Sequence, residues 1–164
     1  MSEIRWRAFR KMSWVWTAWE RLWLRLFPVT PIKPGSVFAI RRDGRVLELH
    51  LDGQRLAAMR RRPDYSGFKV IHELRDDLRV IATRVRSGEL SGLEGIKGTS
   101  LMGAVGPVVG FEARPLPRTL HNRLEQYFMV GLDAVYHPGG LRRHSMRRWP
   151  VESWMSAEEL LRRY

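Results

Sequence analysis

The stretch "SVFAIRRDGRVLELHLDG", residues 36–53, decides the fold because it is the clearest β-hairpin signal in the chain. Two runs of alternating apolar and polar residues flank the dipeptide Asp43-Gly44, which favours a tight type I′ turn. In the second run, the leucines point to one face of the strand and the polar residues to the other. We therefore expect a hairpin with one face in the core.

Two long helices are predicted after the hairpin. Apolar residues at steps of three and four predict a helix over residues 66–87, and Gly88 follows where a helix would stop. Thr119 is the predicted cap of the second helix. The apolar positions expected to face the core along that helix are Leu120, Leu124, Phe128, Leu132 and Val135.

The remaining segments predict a small sheet and a short last helix. Strands are expected at "GIKGTSLMG" and "VVGFEARPL", on either side of a glycine-rich turn. The tail after residue 140 reads as loop until Ser156, where "SAEE" forms a capping box. Helices and strands in this order predict an α+β fold, with a small, mostly antiparallel sheet and two long packing helices.

A proline-rich segment, "FPVTPIKPGS", separates an N-terminal helix from the rest of the chain. Its three prolines end the helix and favour an extended backbone. We therefore place a domain boundary there. Residues 1–28 are predicted to form a basic, Trp-rich amphipathic helix, and residues 29–164 a single α+β domain.

The most chemical-looking pattern is the polar face of the second hairpin strand, which carries Glu48, His50 and Asp52. Two carboxylates and an imidazole are groups that bind a metal or transfer a proton. Neighbouring residues on one strand face are, however, about 7 Å apart, so a metal would need ligands from elsewhere. We assign no catalytic residue, metal or cofactor, and expect all three side chains to be exposed to solvent.

Positive charge indicates an anionic partner. The net charge is +12, and the basic excess lies at both ends of the chain and around the hairpin. A lipid surface, a nucleic acid or an acidic polymer would suit such a distribution. The candidate anion-binding residues near Trp149 are Arg142, Arg143, Arg147 and Arg148. Nucleic acid is the less favoured partner, because no known nucleic-acid-binding signature accompanies them.

The N-terminal segment "RWRAFRKMSWVWTAWERLWLRLF", residues 5–27, divides into an apolar and a basic face when drawn as a helix. Its longest uncharged stretch has eight residues, whereas a spanning helix needs about 20. It also lacks the cleavage site of a signal peptide. A helix lying in a membrane interface is the favoured interpretation. The alternative is a helix that packs its tryptophans on its own domain or on a second subunit of a homodimer.

The residues predicted to contact a membrane belong to both faces of this helix. They are Trp16, Trp19, Trp23 and Phe27 on the apolar face, and Arg7, Arg10, Lys11, Arg21 and Arg25 on the basic face.

Several segments resemble the YkoP-like family of bacterial proteins. They are "VLELHLDGQRL", "VIHELRDDLRVIA", "IKGTSLMGAVGPVVGFEARPLP", "LDAVYHPGGLRR" and "WMSAEELLRRY". The resemblance implies a domain that stands alone or follows polysaccharide deacetylase domains of cell-envelope enzymes, with no established catalytic activity. The chain departs from the family in a shorter first hairpin and in Pro107, which interrupts a segment that is usually more helical. It has no deacetylase domain, so that activity is not carried over.

Together, these features predict a non-catalytic accessory or interaction domain of the bacterial cell envelope, cytoplasmic or peripheral to the membrane. The expected partners are an anionic membrane surface and an envelope protein or polysaccharide-modifying enzyme. Two alternatives stay open. One is nucleic-acid binding through the arginine-rich flanks, and the other is a small hydrolase or metal-dependent enzyme centred on Glu48, His50 and Asp52.

Overall fold

A computed structural model describes residues 13–101, 106–136 and 148–164, and these residues form an α+β fold, which confirms the predicted class. The helices are α1 (Ser13–Leu26), α2 (Gly53–Arg60), α3 (Gly67–Arg86), α4 (Leu120–Tyr136) and α5 (Ala157–Arg163), with a 3₁₀ turn at Gly106–Val109. The strands are β1 (Thr30–Pro31), β2 (Phe38–Asp43), β3 (Val46–Leu51), β4 (Gly95–Ser100), β5 (Glu112–Pro115) and β6 (Val151–Ser156).

The described strands form one sheet in the order β1-β2-β3-β4-β6-β5. The neighbours β3 and β4 are parallel, and the other neighbouring pairs are antiparallel. Parallel strands need a crossover connection, and here α2 and α3 provide it between β3 and β4. The predicted small, mostly antiparallel sheet is therefore confirmed.

The hairpin of β2 and β3 forms, but its turn lies one residue later than the sequence predicts. Asp43 pairs with Val46, so the loop consists of Gly44 and Arg45. Gly44 has a φ of 59°, whereas Arg45 does not have a positive φ. A positive φ at the first loop position alone indicates a type II′ turn, for which glycine is preferred there. The predicted type I′ turn is wrong.

One face of the sheet is packed against α3 and α5. Leu47, Ile96 and Met155 come from three adjacent strands and are almost fully buried. Leu78 and Ile81 of α3 are equally buried in the same core. Burial of one such side chain contributes about 1.5–3 kcal/mol, so this layer holds α3 on the sheet.

The opposite, polar face of the sheet lies beneath a second helical layer. Helix α1 packs against α4, and α2 also contacts α4. Just after α1, the ring of Phe27 lies 4.9 Å from the guanidinium carbon of Arg41 in β2. Glu125 of α4 lies close enough to Glu152 of β6 for the charge of Glu152 to raise the pKa of Glu125. The sheet is therefore placed between a layer of α3 and α5 and a layer of α1 and α4.

Two predictions are wrong in part: the loop expected before Ser156 and the strand expected at "VVGFEARPL". The tail before Ser156 is not a loop, because β6 occupies a position inside the sheet, between β4 and β5. Its sequence, "VESWMS", carries Ser153 on the core side and Trp154 on the polar side, which weakened the apolar alternation. The segment "VVG" is the end of a 3₁₀ turn, and Gly110, with a φ of 93°, redirects the chain before β5.

The core face predicted for α4 is also wrong in its first two turns. Leu120 and Leu124 are 75% and 61% exposed, whereas Asn122 and Val130 are buried. The side chain of Asn122 donates a hydrogen bond to the carbonyl oxygen of Pro117 at 2.9 Å. That bond turns Asn122 inward, so the leucines on either side of it turn towards solvent.

Candidate functional site

The three polar residues predicted to share a strand face do not stay together. Glu48 and His50 lie on the polar face of β3, but β3 ends at Leu51. Asp52 instead caps α2, and its Oδ1 accepts a hydrogen bond from the backbone N–H of Arg55 at 3.0 Å. Aspartate is a preferred N-cap residue, so its role here is to begin a helix. The prediction that all three residues share one strand face is wrong.

Glu48 lies between two cations on the polar sheet face. The hairpin register sets Arg41 opposite Glu48, and the parallel pairing sets Lys97 on the other side. Arg41 Nε and Lys97 Nζ lie 2.8 Å and 3.0 Å from the Glu48 carboxylate. Only 18% of the Glu48 side chain is exposed, so the expectation of an exposed residue is wrong. A carboxylate held in this way is not free to act as a base.

The electrostatics of Glu48 follow from these contacts. Burial raises the pKa of Glu48, but hydrogen bonds and charge interactions with Lys97 and Arg41 outweigh burial, and the pKa lies below its ordinary value. The hydrogen bond to Glu48 raises the pKa of Lys97. Glu48 and Lys97 are therefore charged at neutral pH, and with the guanidinium of Arg41 they give the cluster a net positive charge.

His50 is the neighbour of this cluster on β3. Its Nε2 lies 3.7 Å from Glu48 Oε2, which is too long for a hydrogen bond. That nitrogen is shielded from solvent and has no hydrogen-bond partner in the described part of the chain. Burial lowers the pKa of His50, and Arg41 lowers it further, although Glu48 acts in the opposite direction. His50 is therefore a neutral imidazole, partly buried and close to a carboxylate.

A second weakly solvated carboxylate lies across from β6. Burial raises the pKa of Glu125 in α4; His121 opposes this shift, whereas the charge of Glu152 adds to it. Within residues 13–101, 106–136 and 148–164, no group of three histidines or carboxylates is arranged to hold a metal ion. Burial and the like charge of Glu152 therefore both disfavour the ionised form of Glu125.

A buried ionic cluster that the sequence analysis missed lies on the other side of the sheet. Asp77 of α3 is fully buried, and its carboxylate accepts a hydrogen bond from the hydroxyl of Ser36. Lys33 Nζ lies 3.3 Å from Asp77 Oδ1. Burial raises the pKa of Asp77, and the contacts with Ser36 and Lys33 offset this only in part. The sequence does contain one indication of this cluster: Asp77 comes three residues after the buried Leu74, on the apolar face of the helix.

Helix α1 presents much of its apolar face to solvent. Trp19 and Leu22 are 51% and 48% exposed, and Leu26 is more exposed still. The ring of Trp23 lies 4.4 Å from that of Phe27, which in turn contacts Arg41, so this end of the helix is attached to the domain. The helix is thus neither detached from the domain nor covered by it.

Several residues assigned to membrane or anion binding lie outside the described residues. They are Arg7, Arg10, Lys11, Arg142, Arg143 and Arg147, and the side chain of Trp16 is not described either. Arg21, Arg25 and Arg148 are exposed.

Trp149, the aromatic neighbour of the predicted arginine patch, is held by the domain. Its indole N–H donates a hydrogen bond to the carbonyl oxygen of Leu116 at 2.6 Å. The guanidinium of Arg118 lies over its ring at 5.8 Å. A ring fixed in this way is poorly placed to stack on a nucleotide base, so the structure adds nothing to the nucleic-acid interpretation.

Fold and site together define a small α+β domain with an ionic polar sheet face and a partly exposed amphipathic helix. The chain belongs to the YkoP domain family, whose model matches residues 38–164. The matched region thus runs from β2 to the end of α5 and excludes α1. A search of curated proteins and a search of solved structures returned no match. No helix in the described part of the chain is long and apolar enough to cross a membrane.

Proposed function

We propose that this protein is a non-catalytic accessory domain of the bacterial cell envelope that attaches to an anionic membrane surface through α1. The exposed apolar side chains of α1 are the observation that carries the proposal. Trp19, Leu22 and Leu26 follow the spacing of one helix face, and each is about half exposed or more. Large exposed apolar patches mark interaction sites in soluble domains.

The chemistry of these side chains favours a membrane interface as the partner. Tryptophan prefers the head-group level of a bilayer, where its ring is buried and its N–H stays hydrated. Arg21 and Arg25 are exposed on the same helix. A basic residue near an acidic bilayer contributes about 1 kcal/mol. The proposed envelope location rests on what the resemblance to the YkoP family implies, a domain that stands alone or follows polysaccharide deacetylase domains.

The polar sheet face favours a non-catalytic role. Glu48 is paired with two cations, and Asp52 is used as a helix cap. Among the described residues of this face, His50 Nε2 has no hydrogen-bond partner, and it is shielded from solvent. A general base must reach a substrate proton directly or through one water molecule. His50 does not meet that requirement in this arrangement.

Vesicle co-sedimentation of the full chain tests the proposal. We would compare the wild type with a Trp19→Gln/Leu22→Gln variant, because both side chains are exposed and glutamine is compatible with a helix. Phe68→Gln is the matched control, since Phe68 is 74% exposed on α3, in the other helical layer. We expect wild type and control to bind acidic vesicles, and the α1 variant to lose most of the binding. Equal binding of all three proteins would contradict the role of α1.

A further inference from the structure

The first two turns of α4 carry a second exposed apolar stripe. Leu120, Leu124 and Tyr127 are spaced as one helix face, and each is more than half exposed. The rotation of α4 is fixed by Asn122, which is buried and bonded to Pro117. Three large apolar side chains are thus held in solvent by the fold itself, which indicates a partner.

The stripe on α4 belongs to the same layer as the exposed face of α1. The two helices pack against each other on the polar side of the sheet. Both stripes repeat at steps of three and four residues, so each helix has an apolar line along its exposed surface. Two such lines on neighbouring helices give a broader apolar surface than α1 provides alone.

The charges around the two stripes have one sign. The exposed charged residues of α1 and of the first two turns of α4 include Arg21, Arg25 and Arg123. The acids of these segments, Glu20 and Glu125, are half-buried. An exposed surface with apolar lines, arginines and no exposed acid is complementary to an acidic lipid head-group layer.

We infer that the exposed stripes of α1 and α4 form one composite surface that docks on an anionic phospholipid membrane. This inference rests on the proposed membrane function and adds α4 to it. A second copy of the chain is a poorer occupant, because a twofold interface brings the same patch of both subunits together. Arginines would then face arginines with no exposed acid to pair with them.

Site-specific fluorescence on the full chain tests this surface directly. The chain has no cysteine, so single replacements accept one environment-sensitive label each. We would label Leu124→Cys on α4, Leu22→Cys on α1 and Phe68→Cys on α3 as the matched control. The probe is a vesicle with a high content of acidic phospholipid. We expect a blue shift and a rise in emission at positions 22 and 124, and no change at position 68.

The possible outcomes separate this inference from the proposed function. A response at position 22 without one at position 124 would overturn the composite surface but leave membrane binding through α1 intact. No response at either position would overturn both. An equal response at all three positions would indicate non-specific adsorption and would also overturn the composite surface.

Affinity provides a second measurement that does not depend on labels. Because both leucines become buried in the interface, a Leu120→Gln/Leu124→Gln variant is expected to bind acidic vesicles about tenfold more weakly than wild type. Its helix content, measured by circular dichroism, should be unchanged because both side chains are exposed. If the variant binds vesicles normally but converts a dimer to a monomer, the stripe is a subunit interface and the inference fails.

Discussion

Glu48 accepts hydrogen bonds from Arg41 on the antiparallel neighbour β2 and is paired with Lys97 on the parallel neighbour β4, so one carboxylate joins three strands. The pairing depends on the turn. A loop formed by Asp43 and Gly44 would have set Arg41 opposite Val46, whereas the observed loop sets it opposite Glu48. The ionic cluster is therefore a consequence of hairpin register.

Replacement of Glu48 by glutamine is expected to destabilise the domain. The change leaves Arg41 and Lys97 without their shared counter-charge, at an expected loss of about 1–2 kcal/mol in the free energy of unfolding. Urea unfolding at pH 7 measures this. Glu112→Gln is the control, because Glu112 forms an ion pair with Arg114 in which both side chains are exposed to solvent. Exposed ion pairs contribute about 0.5 kcal/mol or less to stability. Equal losses in both variants would contradict a special role for Glu48.

The pH dependence of the same cluster has a defined sign. The pKa of Glu48 is below its ordinary value of about 4.5. The stabilisation that ionised Glu48 provides is therefore complete when the pH is above the ordinary pKa. It is lost as the pH falls through the lower pKa of the folded state. We expect the stability difference between wild type and Glu48→Gln to shrink below pH 4.5, as followed by thermal unfolding. A difference that grows on acidification would contradict the assignment.

His50 gives a separate pH effect at higher pH. Burial lowers its pKa from the ordinary value of 6.5, so the unfolded chain takes up a proton before the folded chain does. Stability should therefore fall as the pH drops from about 6.5 towards the folded-state pKa. A His50→Gln variant should lose this part of the pH dependence, as measured by urea unfolding at pH 7.5 and 5.5. The control is His72→Gln, because His72 is exposed, and it should behave like wild type.

The sequence predicts those elements whose signals are local. The helix over residues 66–87 is confirmed as α3, with Gly88 at a φ of 83° just after it. Ser156 caps α5 as expected, accepting a hydrogen bond from the N–H of Glu159. Such caps and turns depend on residues within a few positions of each other, so they are readable from one sequence.

The hairpin turn and the cap at Asp52 are local features that the sequence did not predict, whereas other failures depend on contacts between distant segments. Strand β6 is held by β4 and β5 rather than by its own pattern. The rotation of α4 is a local exception, since Asn122 is bonded to Pro117 only five positions earlier and does not belong to the apolar periodicity of the leucines. Asp77 contacts Lys33 and Ser36, which lie more than 40 positions earlier in the sequence. Tertiary contacts of this kind override local propensity.

The buried cluster at Asp77 predicts a strong response to loss of its cation. A Lys33→Met variant removes the charge that faces a fully buried carboxylate, and a loss of about 1–3 kcal/mol is expected. Adding Asp77→Asn to it should recover much of that loss, since the buried charge is then removed too. Chemical denaturation measures both variants, with Lys69→Met as the control because its partner Asp64 is exposed. A double variant less stable than Lys33→Met alone would contradict this account.

Gly95 lies on the polar face of the sheet, where the packing leaves no room for a side chain. A Cβ added there would lie 2.6 Å from both the carbonyl oxygen of Met155 and the indole ring of Trp154. Gly95→Ala is therefore expected to cost about 1–3 kcal/mol. Gly67→Ala is the control, because no atom lies within 4 Å of its added Cβ. Thermal unfolding of both variants measures the difference, and equal melting temperatures would show that the strands move apart freely.

Membrane attachment is the central claim, and the affinity of the full chain for vesicles of defined charge tests it most directly. Binding would be measured on acidic and on zwitterionic vesicles, each at low and at physiological salt. The account predicts binding to acidic vesicles that weakens as salt is added, because arginines and apolar side chains act together at the surface. Indifference to acidic vesicles at low salt, together with a stable dimer in solution, would contradict it.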